Sequence, residues 1–200
     1  MDTSAFSDPL TYLLTFVAVV SVPFVSSVGS NSTLSPGFIC LMIAIPFLGP
    51  SAAFAIALVT ETATWLIERY RWRAFLNNLA AIPATALIIA VGFTAIDPSE
   101  GSWQFYLLLA VASLAFFVLN VILIVFLMSI LDGNEFRQGL KSYLAFLPTI
   151  AFSIALILAV ATAYIDFGRV AIAYLAVALA GVGYMTRRSE ERRVGKECRL

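Results

Sequence analysis

Glu61, in "ALVTETATWLIERY", is the one acidic residue lying well inside an uncharged stretch of this chain. It precedes Arg69 by about 12 Å of helix, which places it near the midplane if the stretch crosses a bilayer. A carboxyl group at that depth must be neutral, paired or turned toward an aqueous cavity. Thr64, Trp65 and Glu68 fall on the same helical face. Two chemistries fit: a proton- or ligand-responsive site, or a protonated carboxyl hydrogen-bonded to a neighbouring helix. Asn77 and Asn78 open the next apolar stretch, and Asn120 sits in the middle of a longer one. Each is either an interhelical amide contact, contributing about 0.6 kcal/mol, or part of a polar cavity gathered with Glu61. Helix packing decides between the two.

Other chemistries lack their residues. The chain contains no histidine, which removes His-based triads, imidazole metal ligands and imidazole relays. Cys40 lies in an apolar run and Cys198 near the C-terminus, a spacing that fits neither a disulfide framework nor a metal site. The phosphate loop GxxxxGK[ST], the GxSxG elbow and the CxxC pair are all missing. No catalytic residue, metal or cofactor is therefore expected within these 200 residues.

The elements that must position the polar residues follow from composition. Hydrophobic residues make up 61% of the chain and charged residues 12%, with 16 phenylalanines and a mean hydropathy of +0.95. Soluble domains carry about 25% charged residues, whereas uncharged runs of roughly 17 to 25 residues match a bilayer's hydrocarbon thickness. The runs are continuous rather than alternating, which excludes a β-barrel. The expected fold is all-α, a polytopic transmembrane bundle of six or seven spans.

Candidate spans are 9–28, 36–48, 51–67, 74–96, 103–131, 143–165 and 169–185. "STLSPGF" offers Ser35 as an N-cap and Pro36 as the first helical residue, and Gly49-Pro50 separates the second and third runs. "IDPSEGSW" and "LDGNEF" read as polar turns. Trp103, Tyr106, Tyr143 and Tyr164 stand near run ends, where interfacial aromatics belong. Pro46, Pro83 and Pro148 interrupt spans, as kinks or as freed carbonyls. Small residues (Ala52, Ala53, Ala57; Ala176, Ala180, Gly183) allow close helix approach. The first run lacks the basic start and cleavage site of a signal peptide, so it reads as a retained helix.

Basic residues cluster in the 68–73 loop (Arg69, Arg71, Arg73), the 132–141 loop (Arg137, Lys141) and at Arg187, while 96–102 carries only acids. The positive-inside rule assigns the basic loops and the C-terminus to the cytoplasm. Seven spans with an outside N-terminus satisfy every loop. The run 36–48 reaches only about 20 Å as a helix, so a re-entrant segment, six spans and a cytoplasmic N-terminus form the alternative.

The final residues, "RSEERRVGKECR" from Arg188 to Arg199, mix five bases with three acids, unlike the apolar chain before them. They resemble the in-frame translation of a common short-read sequencing adapter. On that resemblance, 1–187 is the transmembrane domain and 188–200 a non-native tail, set aside from fold reasoning.

The pieces "LSPGFICLMIAIPFLGPSAAFAIALVTE", "WRAFLNNLAAI", "FFVLNVILIVFLMSILDG" and "LPTIAFSIALILAVATAY" resemble, in order, the N-terminal membrane region of bacterial signalling proteins that end in a cytosolic HD or HD-GYP phosphohydrolase domain. The resemblance implies a non-catalytic sensor or anchor in the inner membrane, handing a signal to a catalytic domain beyond Arg187. Cyclases with comparable membrane regions make that output domain an open choice, and no catalytic residue carries over. The expectation from another class is a small transport component that binds a small molecule, of the vitamin-uptake substrate-binding type. Expected partners are the lipid bilayer, an unspecified small-molecule ligand and, through the small-residue faces, a further copy of the chain; nucleic acid is not expected.

Overall fold

The computed structural model describes residues 4–25, 36–132, 136 and 147–174. Expectations for Ser35, most of the 132–141 loop, Tyr143, the second small-residue face, Arg187 and the 188–200 tail fall outside the described residues.

Asp8 starts the first helix, α1 (Pro9–Val25). Its carboxylate accepts the Leu10 backbone N–H at 2.8 Å, and Pro9 takes the first helical position, where no donor is needed. The second helix, α2 (Pro36–Glu68), contains one non-helical residue, Gly49 (φ 77, ψ −174). Only glycine enters that backbone region freely, and Pro50 behind it has no N–H to rejoin the ladder. A straight helix would hold Gly37 and Glu68 roughly 46 Å apart, yet both line one small cavity together with Thr60 and Thr64. The chain therefore folds back at Gly49-Pro50, and α2 is a hairpin of two antiparallel limbs, 36–48 and 50–68. The sequence separates these limbs at the same dipeptide; the structure adds their direction.

Burial explains the short first limb. Every residue from Ile39 to Ile45 is buried, and a helix apolar on all sides belongs in the middle of a bundle.

Left-handed Arg69 (φ 52) closes the second limb, its N–H bonding the Trp65 carbonyl at 2.9 Å. The next helix, α3, runs Trp72–Ile96 without interruption through Pro83, so that proline does not split the span. Asp97, also left-handed, ends it. The fourth helix, α4 (Trp103–Asp132), begins at Ser102, whose hydroxyl accepts the Phe105 N–H at 3.1 Å. The last long helix, α5, spans Leu147–Phe167. Pro148 falls in its first described turn. Helical turns resume over 169–174.

Rings bind the end of the bundle near the hairpin tip. Phe47 packs on Tyr164 (4.5 Å between centroids) and on Phe105 (5.8 Å), and Phe93 meets Phe105 edge-on. Arg169 pairs with Asp8 at 3.1 Å. The start of α1, the hairpin tip, the 97–102 turn and the end of α5 thus share one end of the molecule, and the Arg69–Arg71 turn lies at the other.

Among the described residues there is no strand. Helices Gly37–Glu68, Trp72–Ile96, Trp103–Ile130 and Ile150–Phe167 are long and apolar enough to cross a membrane, and the apolar part of α1, Pro9–Val22, is shorter. On α4, Leu107, Val111, Leu114, Val118, Ile122 and Phe126 form an exposed apolar stripe. Water would penalise such a stripe, whereas lipid matches it. The chain is an all-helical membrane protein.

Candidate functional site

Glu61 projects from the second limb of α2 and is only 7% exposed. The tight Arg69–Arg71 turn after the limb brings two further segments to its carboxyl group. Tyr70, from that turn, donates its hydroxyl to Glu61 Oε1. Asn78, from the first turns of α3, stands beside both the Glu61 carboxyl and the Tyr70 side chain. A ring cluster fixes the turn: Trp65 stacks on Phe75 at 4.8 Å and meets Trp72 at 5.2 Å. Such aromatic pairs contribute about 0.5–1.5 kcal/mol each beyond burial.

Burial, and then the Glu61 carboxyl beside it, push the Tyr70 phenol above its ordinary range. Tyr70 therefore stays protonated at physiological pH and acts as a donor. The sign follows from linkage: stabilisation from this bond is complete below the ordinary phenol range and is lost as pH rises through the displaced value.

On its other side Glu61 faces a cavity of about 290 Å³, walled by both limbs of α2, by Ile82 of α3, by Phe116, Phe117 and Asn120 of α4, and by Ile150 and Ser153 of α5. The lining is mostly apolar with a few convergent polar groups, the make-up of a small-ligand site, and its volume stands at the small end of such sites. Two of the lining residues carry a buried side-chain oxygen without a partner, Thr60 Oγ1 and Asn120 Oδ1. Leaving such an atom unmatched costs about 1–3 kcal/mol.

The four candidate residues thus divide. Glu61 and Asn120 both line the cavity, and Asn78 stands beside Glu61. Asn77 turns away; it is 4% exposed and donates to the Ile124 carbonyl of α4 at 3.4 Å. That contact joins α3 to α4, and Asn77 is not among the described residues lining the cavity beside Glu61. Of the residues sharing Glu61's face, Thr64 reaches the cavity, Glu68 lines the smaller one nearby and Trp65 belongs to the ring cluster.

Sequence reasoning missed Tyr70, Thr60 and Ser153. Thr60 was legible as the residue one helical turn before Thr64. Tyr70 was not, because its return to Glu61 depends on the left-handed Arg69. Among the described residues no group of three or more His, Cys, Asp or Glu gathers to hold a metal. Comparison with known proteins finds no matching family, curated protein or solved structure, so the functional reading rests on this geometry.

Proposed function

We propose that this chain is the ligand-sensing membrane region of a bacterial signalling protein, non-catalytic itself, with its output carried by a cytosolic domain beyond Arg187. The observation that supports this reading is the Tyr70–Glu61 hydrogen bond. It ties the wall of the cavity directly to the turn between α2 and α3, so occupancy of the cavity and the position of the turn are one equilibrium. Arg69, Arg71 and Arg73 assign that turn to the cytoplasmic face by the positive-inside rule. The shared end of Asp8, the hairpin tip and Arg169 supports an outside N-terminus and seven passages, with 36–48 as a short central one. The membrane is then the inner membrane, and Arg187 emerges in the cytoplasm. The tail from Arg188 is adapter-derived and plays no part.

Recovery of the intact gene tests the reading. An in-frame phosphohydrolase or cyclase domain following Arg187 is the expected result; a stop codon directly after it contradicts the proposal.

The cavity also favours a second reading, a transport component that binds its substrate in the bundle. Cells producing the chain would then accumulate a labelled cavity ligand, and Glu61→Gln or Asn120→Leu would abolish that accumulation. A sensor binds without accumulation.

A further inference from the structure

We infer that the cavity beside Glu61 receives a small organic ammonium ion with an aromatic or branched apolar body. This rests on the sensor reading only in taking the cavity as the ligand chamber.

Glu61 is the one ionisable group among the described lining residues, beside the hydroxyls of Thr60, Thr64 and Ser153 and the amide of Asn120. Glu61 keeps acceptor capacity beyond its bond with Tyr70, since a carboxylate offers about four lone-pair sites. Thr60 Oγ1 and Asn120 Oδ1 are buried and unpartnered. Among the described lining residues none is basic. An anionic ligand would meet an acidic wall without a counter-charge, and Glu68, close enough to act on Glu61, adds a further negative charge. An ammonium group reverses that balance. It offers several N–H donors to these acceptors and supplies the counter-charge that a carboxylate at this depth otherwise lacks.

The apolar wall carries the second half of the argument. Phe38 and Phe116 come together at 5.4 Å with their planes inclined by 47°, and Phe117 lines the same space. Aromatic faces attract a cation, more strongly where water is excluded. They also accept an apolar body. Carboxyl, amide oxygen and rings thus converge from α2 and α4 on one space, a combination suited to organic cations. A neutral polyol would match the acceptors but leave the rings unused. A fatty chain would leave the acceptors unmatched.

The experiment uses the purified full chain in lipid nanodiscs and three probes sharing one apolar body: phenethylammonium, 2-phenylethanol and phenylacetate. Binding is read from tryptophan fluorescence, because Trp65 lies one turn from Glu61, and from the unfolding midpoint. Phenethylammonium should raise the midpoint and bind at least tenfold more tightly than 2-phenylethanol, with phenylacetate weakest. Glu61→Gln should weaken phenethylammonium tenfold or more, and Phe116→Leu severalfold. The probe comparison in the unaltered protein decides the matter even where a variant fails to fold.

Equal binding of 2-phenylethanol and phenethylammonium would overturn the inference while leaving a ligand chamber, and with it the sensor reading. So would full amine binding by a folded Glu61→Gln protein. Binding of none of the probes to the folded protein would also overturn it. The sensor reading then stands or falls on the gene beyond Arg187.

Discussion

The two ends of this bundle are built differently. At the hairpin-tip end, Phe47, Phe93, Phe105 and Tyr164 interlock, and Asp8 forms an ion pair with Arg169. At the opposite end the helices stand around an open space, and Glu61, Asn78, Asn120 and Tyr70 are gathered there with acceptors left over. Both ends come from the same apolar helices, so hydropathy does not separate them. Packing does. Lipid tails are as apolar as leucine, so helices in a membrane gain from fitted contacts rather than from leaving water. The ring-filled end takes that gain, whereas the cavity end forgoes some of it and keeps room for a ligand. Stability and binding should therefore map to opposite ends.

Variants can break or sharpen that contrast. The largest loss is expected for Phe105→Ala, since the side chain is 1% exposed and touches three other rings. We predict destabilisation of about 3 kcal/mol, measured by reversible unfolding in mixed micelles, with cavity binding retained. Gly49→Ala follows at about 2 kcal/mol. Nothing lies within 4 Å of an added Cβ there, so the loss arises from the backbone, and Gly49→Val should cost at least as much. An effect near zero at Gly49 would mean that the fold-back does not depend on its positive φ.

Smaller effects should follow at polar positions. Thr85 is fully buried with Oγ1 unpartnered, so Thr85→Val should stabilise the protein by about 1 kcal/mol. Asn77→Leu removes one long hydrogen bond to Ile124 and should cost about 0.6 kcal/mol without changing ligand binding. A large loss of binding in Asn77→Leu would move that residue from the helix contact into the site.

Much of the fold is legible in the amino-acid sequence. Asp8-Pro9 marks a helix start, Gly49-Pro50 a break and "IDPSEGSW" a turn, because each fixes local backbone or removes a donor. The fold-back is not legible in the same way. Gly-Pro shows that the helical ladder fails, but the angle between the limbs depends on Gly49's ψ and on what packs around the first limb. The site divides for a similar reason. Glu61 stands out as an acid in an apolar run, and Asn77, Asn78 and Asn120 stand out as amides in apolar runs. Which of the amides face the carboxyl depends on helix rotation, set by contacts such as Phe38 on Phe116. Tyr70 gave no signal at all, since a tyrosine at a helix end reads equally well as an interfacial anchor.

The central claim is that Glu61 and Tyr70 couple the cavity to the turn between α2 and α3. A spin label at exposed position 71, in a chain carrying Arg71→Cys and Cys198→Ser, tests it most directly. Glu61→Leu and Tyr70→Phe should each increase the label's mobility, and the double variant should increase it no further, because both remove one shared bond. An unchanged spectrum in Tyr70→Phe, or full additivity in the double variant, would contradict the account.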